Sequence, residues 1–380
     1  MAKLKDHLGR PVVAVTGIGL VTSLGVGKAD NWAALTAGKS GIHPINRFPV
    51  DQLNTRIAGT VDFLPSSTKG ASALTYELAE TAAREALEES GLDAENFGGP
   101  LFLASPPVEL DWHDRLTLYK SGDNEDAAER VLEAARTLNS SDMFDSAQFG
   151  FIADRLADTF GATGLPITLS TACASGATAI QLGVEAIRRG ECDRALAIGA
   201  DGSATAEALI RFSLLSALST SNDAPEKASK PFSKDRDGFV LAEGSAALVL
   251  ESLEVALARG ATVIGILRGC GEKADDFHRT RSKPDASPAI AAVKAALADA
   301  GLSENEIDYI NAHGTSTPEN DKMEHLSLST VFGERIGRIP VSSNKSMIGH
   351  TLSAAGAIEA AFSLMTMREG VIPPTINYDN

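Results

Sequence analysis

Cysteines and long apolar runs are scarce in this chain, and each scarcity removes a class of function. Three cysteines, Cys173, Cys192 and Cys270, occur in 380 residues. They are too few and too scattered for a disulfide framework or a paired-cysteine zinc site, so any chemistry at cysteine is that of a single thiol. No apolar run approaches the roughly 20 residues that span a bilayer. The amino terminus, Met1 to Arg10, is polar rather than signal-like, and a cytoplasmic location is the expectation. Basic residues are outnumbered, 34 Lys and Arg against 50 Asp and Glu, for a formal charge of -16. That balance argues against duplex nucleic acid as a partner, because phosphates are bound by a basic face. It leaves room for an acidic protein on a local basic patch.

What the chain does have is alternation. Short β-branched runs, such as Val12 to Val15, Leu101 to Ala104, Ile167 to Ser170 and Ala195 to Gly199, alternate with alanine-rich amphipathic stretches at Leu74 to Glu88 and Gly176 to Arg189. The pattern resumes with Ala246 to Leu250, Val263 to Leu267, Ala289 to Ala300, Tyr309 to Asn311 and Ala357 to Arg368. Such alternation predicts an α/β fold, and the absence of polar alternation within the strands predicts sheets covered on both faces. The stretch from Pro106 to Asp145 breaks the pattern with Asp, Glu, Ser and Lys, and reads as an insertion containing a helix near Ala127 to Leu138. No Gly/Ser linker divides the chain, so its parts are expected to form one continuous body.

Two segments echo each other. Gly176-Ala177-Thr178-Ala179-Ile180 opens a helix ending at Arg188-Arg189-Gly190, and Gly356-Ala357-Ile358-Glu359-Ala360 opens another ending at Arg368-Glu369-Gly370. Two buried alanine-rich helices can look alike because alanine is the best helix former. Alternatively they are equivalent elements of a duplicated half-domain, whose amino-terminal loops, holding Cys173 and His350, come together.

Near the start, Thr16-Gly17-Ile18-Gly19-Leu20-Val21-Thr22 invites a dinucleotide reading, but Thr22 takes the third glycine position and the next residues look like loop. A tight turn after the first strand is the simpler expectation. Cys173 lies between a strand and an amphipathic helix, where free backbone N–H groups and the helix dipole favour thiolate. His313, in Asn311-Ala312-His313-Gly314-Thr315-Ser316-Thr317, follows a short strand; His350 sits between a strand and a helix, with Lys345 five residues before it and Glu359 nine after. A protease would pair one histidine with an orienting Asn or Asp, and a metal site would want closer ligand spacing. The other five histidines, His7, His43, His113, His278 and His325, read as structural or surface residues.

At these residues the chain resembles the β-ketoacyl-acyl-carrier-protein synthases, condensing enzymes of the thiolase superfamily, and most closely their type I/II elongating class. The resemblance spans nearly the whole chain. Its most specific parts are Thr171-Ala172-Cys173-Ala174-Ser175-Gly176, Pro231-Phe232 with Arg236-Asp237-Gly238-Phe239-Val240, Ala312-His313-Gly314-Thr315-Ser316-Thr317, and Asn344-Lys345-Ser346 with Gly349-His350. It implies thiolase-like duplicated half-domains in a five-layered α-β-α-β-α arrangement, residues 1–253 with the insertion at about 106–145 and residues 254–380. It implies Cys173 as nucleophile, His313 and His350 acting on a malonyl thioester, Lys345 and Glu359 in support, and Phe212, Thr315 and Thr317 at the substrate. Acyl and malonyl carrier proteins are the implied partners, a homodimer the implied assembly, and no cofactor or metal is implied. Two histidines, instead of a His-Asn pair, point to chain elongation in fatty-acid synthesis.

The chain departs from the pattern in three places. Members of the family end with a Gly-Phe-Gly-Gly-Thr loop beyond the point at which this sequence stops, Asn380. Ala104-Ser105-Pro106-Pro107-Val108-Glu109 replaces a glycine-rich segment, and the approach to Cys173 around Met143 to Thr163 differs. The last two departures predict an unusual acyl-chain preference. A non-catalytic, chain-length-factor-like subunit is the alternative, although such proteins lose the nucleophile. A thiolase would need a second reactive cysteine near its carboxyl end. Arg47, Lys69 and Arg211 are candidates for a basic docking patch.

Overall fold

A computed structural model describes residues 3–107, 110–278 and 281–379. Among these residues the centre is a seven-stranded mixed sheet of β1 (Val13–Thr22), β2 (Gly25–Val26), β3 (Leu101–Ala104), β4 (Ile167–Leu169), β5 (Arg194–Asp201), β6 (Gly244–Ser252) and β7 (Gly265–Leu267). Its order is β2-β1-β6-β5-β3-β4, with β7 beside the first residues of β1. The neighbours β3, β4 and β5 run parallel, and β6 is antiparallel to both β5 and β1. Every residue of β1 and β6 is buried, which is why neither shows polar alternation. A second, short parallel sheet joins β8 (Ile310–Asn311) to β9 (Val341–Ser342).

The helices that matter to the site are α1 (Ala71–Ser90), α2 (Trp112–Ser121), α3 (Ala127–Leu138), α4 (Phe151–Phe160), α5 (Ser175–Arg188), α6 (Ala206–Leu214), α7 (Ser287–Ala300), α8 (Pro318–Phe332) and α9 (Ala355–Glu369). Apolar side chains of α1 and α4 cover one face of the large sheet, and those of α5 and α9 cover the other. Beyond α9 lies the second sheet, tied to it by Asn311, whose Nδ2 donates to Glu359 O at 3.1 Å and to Ser363 Oγ at 3.2 Å. Helices α7 and α8 pack together outside that. Helix, sheet, helix, sheet, helix is the five-layered order expected from the sequence. Each fully buried Leu, Ile or Phe in these layers contributes about 1.5–3 kcal/mol.

Two close approaches explain glycines that the sequence alone left ambiguous. Thr16 to Thr22 is not a turn but the continuation of β1. A Cβ at Gly17 or Gly19 would strike the carbonyl oxygen of Ala86 or Ala82, so these glycines let α1 lie directly on the strand. In the middle layer, a Cβ at Gly176 would lie 2.5 Å from Ala357 N, and one at Gly356 would lie 2.6 Å from Ala177 N. The first turns of α5 and α9 therefore meet backbone against backbone, and the loops before them converge.

The insertion folds on the sheet's flank as α2 and α3, with Asp126 accepting from Ala128 N and Glu129 N at the start of α3 and Arg130 stacked 4.8 Å from the Tyr119 ring. Val108 and Glu109, part of the unusual segment after β3, lie outside the described residues. No helix among the described residues is long and apolar enough to cross a membrane.

Candidate active site

Cys173 occupies the turn between β4 and α5, just after Ala172, whose φ of 53° is a left-handed conformation rare for a residue with a Cβ. Ser175 closes the turn, its Oγ accepting from Thr171 N at 2.8 Å and donating to Ala172 O at 2.6 Å. Phe232, Ser316 and Leu352 also have positive φ, and all three flank the same site. Strained backbone of this kind persists where packing over-determines it.

His350 is held at both main-chain groups: its N–H donates to Val240 O at 2.7 Å and its carbonyl accepts from Ala242 N at 3.0 Å. Its Nε2 stands 3.1 Å from Cys173 Sγ, while Leu352 N–H donates to Nδ1 at 3.3 Å. A donor at Nδ1 leaves the ring proton on Nε2, facing the sulfur. His313 follows β8; its N–H and that of Gly314 each donate to the Glu324 carboxylate at 2.7 Å. The ammonium of Lys345 lies 3.2 Å from His313 Nδ1 and is paired with Glu359. By the same logic His313 also keeps its proton on Nε2. The two imidazoles meet edge to face, with centroids 5.1 Å apart.

Burial and the Lys345 charge hold both imidazoles well below the usual histidine range, so both are neutral at physiological pH. For Cys173 the expected helix effect does not prevail. Burial is the largest influence and raises the thiol above its ordinary value, against the opposing pull of Lys345. Glu324 and Glu359 are also raised, chiefly by burial. The donor atoms of Cys173, His313 and His350 lie within 4.8 Å of one another, a spacing a metal ion could share. The Lys345 ammonium beside His313 opposes a cation there.

The remaining predicted residues are distributed as follows. Phe212, on α6, meets Phe239 at 5.2 Å, and Phe239 meets His350 at 5.3 Å. Phe212 and Cys173 line one cavity of about 460 Å³. Thr315 and Thr317 share a 2.8 Å hydroxyl contact beyond His313, and Thr317 Oγ1 accepts from Asn320 N to start α8. The Arg236 motif braces that loop: Nε donates to Thr317 O and Nη2 to Pro318 O. Arg47 is not available for docking, since it pairs with Asp62 and with the buried Glu243. Arg211 instead lines the Cys173 cavity itself, and Lys69 lines a neighbouring cleft.

Three carboxylates escaped the sequence reading. Glu324 and Asp321 sit in a polar run that resembles a solvated helix face, yet both turn inward, and Asp321 accepts from Phe232 N at 2.7 Å. Asp201, fully buried at the end of β5, accepts from Ser203 N, Ser203 Oγ and Ser353 N; burial lifts its carboxyl to about 6. The one usable signal was the Thr317-Pro318 helix start, which puts Asp321 in the first turn of α8.

Residues 10–256 match the family model described as "Beta-ketoacyl synthase, N-terminal domain", and residues 264–379 match its C-terminal domain. The chain belongs to the β-ketoacyl synthase family. Among its relatives is the 3-oxoacyl-[acyl-carrier-protein] synthase 2 of Coxiella burnetii, 36% identical over 97% of this chain and 88% of the relative. Another is the tetracenomycin polyketide synthase ketoacyl synthase alpha subunit of Streptomyces glaucescens, 37% identical over 97% of this chain and 87% of that one. Among solved structures, a type II PKS acyl-carrier protein in complex with its ketosynthase bound to the hexaketide aligns with TM-score 0.85 at 31% identity, covering 98% of this chain and 90% of that one. A β-ketoacyl synthase from Burkholderia phymatum STM815 aligns with TM-score 0.80 at 33% identity, covering 97% and 89%. This β-ketoacyl synthase accordingly has the thiolase-type fold and is an acyltransferase of the condensing kind.

Proposed function

We propose that the protein elongates an acyl chain by decarboxylative Claisen condensation, with Cys173 carrying the acyl group and malonyl carrier protein supplying two carbons. The observation that carries this reading is the pair of neutral imidazoles presenting Nε2–H around the sulfur, one of them 3.1 Å from Cys173 Sγ. Cys173 attacks the acyl thioester, its sulfur replaces the carrier thiol, and the thiol proton leaves with that carrier. His350, as Nε2–H donor, favours the thiolate that makes the attack.

Malonyl carrier protein then enters. Its carboxylate leaves as CO₂, the bonding electrons move into the thioester, and the two Nε2–H groups hydrogen-bond the enolate oxygen as charge develops there. Neutral imidazoles suit this task, because they donate without first having to be protonated. The enolate carbon attacks the acyl-cysteine carbonyl and the Cys173 sulfur leaves as thiolate, taking up a proton. The product is a β-ketoacyl carrier protein two carbons longer.

Lys345 keeps His313 neutral and oriented, Glu359 neutralises Lys345, and Thr315 and Thr317 bind the carrier's pantetheine arm. Phe212 lines the acyl cavity. We place the halves at residues 1–253 and 254–380 and read the assembly as a homodimer, supported by exposed Leu165 and Ile167 at β4, the edge of the large sheet. Fatty-acid elongation is the preferred pathway. The relatives include both fatty-acyl and polyketide enzymes.

The test combines the protein with acyl and malonyl carrier proteins and follows Cys173 acylation by intact mass, CO₂ release and β-ketoacyl product. Cys173→Ala is expected to abolish condensation, and His313→Ala or His350→Ala to abolish malonyl decarboxylation. Iodoacetamide that leaves Cys173 unmodified in the intact protein would favour a scaffold subunit, and normal turnover in any of the three variants would overturn the assignment.

A further inference from the structure

One carboxylate of the site has no part in the condensation. Asp201 ends β5 in the wall of the cavity that holds Cys173, where it is fully buried and fixed opposite Gly244 of β6. A buried carboxylate is costly unless it is paired and hydrogen-bonded, and its three hydrogen-bond donors here are uncharged. Ser203 N–H and Oγ–H reach Oδ1 at 3.0 and 2.5 Å, and Ser353 N–H reaches Oδ2 at 3.1 Å. The charge itself works against the nucleophile, since Asp201 is among the groups that push the Cys173 thiol up. What the carboxylate gives the site is therefore contact, and the contact that leads toward the reacting atoms is the one at Oδ2.

Ser353 belongs to the short turn Leu352–Ala354, which joins the His350 segment to α9. Leu352 enters that turn at φ 44°, a left-handed conformation that a residue with a Cβ keeps only where its surroundings hold it. Two successive N–H groups do the holding. Leu352 N–H donates to His350 Nδ1 at 3.3 Å, and Ser353 N–H donates to Asp201. The imidazole is a side chain on a loop, whereas the carboxylate stands on a strand in the interior of the large sheet, so Asp201 is the firmer anchor. Released from it, Leu352 would relax toward negative φ and its N–H would swing away from Nδ1. A ring nitrogen without a donor is free to take the imidazole proton, and the nitrogen facing Cys173 Sγ then becomes an acceptor.

We propose that Asp201 is a positioning residue: by accepting from Ser353 N–H it holds the strained Leu352 turn, and through that turn it keeps the His350 proton on Nε2, toward Cys173. The inference rests on the proposed function for its effect on rate, while the place of the proton is read without turnover. Asparagine has the shape of aspartate but a single acceptor oxygen. Ser203 presents a main-chain donor and a hydroxyl on one side of the group, and Ser353 presents one main-chain donor on the other. In Asp201→Asn the amide oxygen is therefore expected to turn to Ser203, which leaves the amide NH₂ facing Ser353 N–H, donor against donor.

The experiment follows the two ring nitrogens of His350 by nitrogen NMR in protein carrying isotope-labelled histidine. Their chemical shifts report which of them bears the proton, and His350→Gln assigns them by loss of signal. In the wild type the proton is expected on Nε2. In Asp201→Asn a substantial share should move to Nδ1, and Cys173 acylation and malonyl CO₂ release should each fall about tenfold. Asp201→Ala, which removes both acceptors whichever way the amide settles, should do the same. Ser203→Ala leaves Oδ2 and Ser353 in place and should keep the wild-type tautomer. Adding Leu352→Gly to Asp201→Asn removes the strain that the carboxylate opposes, because glycine adopts positive φ without cost, and should return the proton to Nε2. Circular dichroism and melting temperature establish that each variant is folded. A His350 tautomer unchanged in the folded Asp201 variants would overturn the inference even where rates fell, since a rate loss alone fits a merely structural residue. The same proton shift in Ser203→Ala, or no recovery with Leu352→Gly, would overturn the route through Ser353. A wild-type protein that neither acylates nor decarboxylates would instead overturn the proposed function and leave the tautomer measurement to decide the role of Asp201.

Discussion

Replacing Glu324 by glutamine separates the work of the two histidines. The Glu324 carboxylate accepts from His313 N and Gly314 N, each at 2.7 Å, and so fixes the backbone from which the His313 ring projects. An amide offers one oxygen and one NH₂ where the carboxylate offered two acceptors, so one buried N–H is left facing a donor. Leaving a buried donor unsatisfied costs about 1–3 kcal/mol. If that cost appears as displacement of His313 in the transition state, it corresponds to a roughly 5- to 150-fold loss of rate. The assay is CO₂ release from malonyl thioester without acyl donor, measured beside acylation of Cys173 by an acyl thioester, the step proposed for His350. Decarboxylation should fall within that range and acylation should fall less, with the melting temperature recorded to report any share taken by stability. Equal losses in both steps, or a decarboxylation change below about twofold, would refute the argument that Glu324 acts through His313.

Three further outcomes are expected. Gly356→Val places side-chain atoms against Ala177, where even a Cβ would come within 2.6 Å of the backbone nitrogen; a destabilisation of about 3 kcal/mol is expected in urea unfolding, and unchanged stability would contradict the close helix contact. Lys345→Met removes the charge that, with burial, keeps both imidazoles neutral, so their protonation should become easier as pH falls. Wild-type decarboxylation should stay level as pH drops from about 8 to 6, whereas the variant's should decline; parallel profiles would refute this. Glu243, in its buried pair with Arg47, has a folded value of about 7, above the ordinary 4.5. The folded state therefore binds more protons than the unfolded state, and stability falls as pH rises through that window, by up to about 1.4 kcal/mol per pH unit. Glu243→Gln cannot titrate, so its stability relative to wild type should improve between those pH values, and a constant difference would refute the shift.

The alternation of strands and helices was legible because strands buried on both faces and alanine-rich helices leave strong local patterns, and the echo between Gly176 and Gly356 marked the two helices that meet in the middle layer. Residues at strand–helix junctions, Cys173 and His350, could be singled out because such junctions expose backbone N–H groups. What the sequence concealed depends on distant packing. Gly17 and Gly19 resembled a turn because nothing nearby announces that α1 will lie on them. Glu324 and Asp321 sit in Pro-Glu-Asn-Asp-Lys-Met-Glu-His, where polarity suggests solvent, and only the arrival of the His313 and Phe232 backbones turns them inward. The thiol of Cys173 was misjudged for the same reason: the helix terminus is local and visible, while the burial that outweighs it is supplied by segments far along the chain.

The glycine-on-glycine contact between α5 and α9 also governs when this reactivity can first exist. Cys173 and His350 are 177 residues apart in the chain, yet their side chains touch because two helix starts are pressed together without intervening side chains. During synthesis the ribosome delivers the thiol long before its histidine, so the nascent chain carries Cys173 as an ordinary, unassisted sulfhydryl. On the proposed reading, chemistry begins only when the later helix docks, so completion of the fold would itself guard against premature acylation.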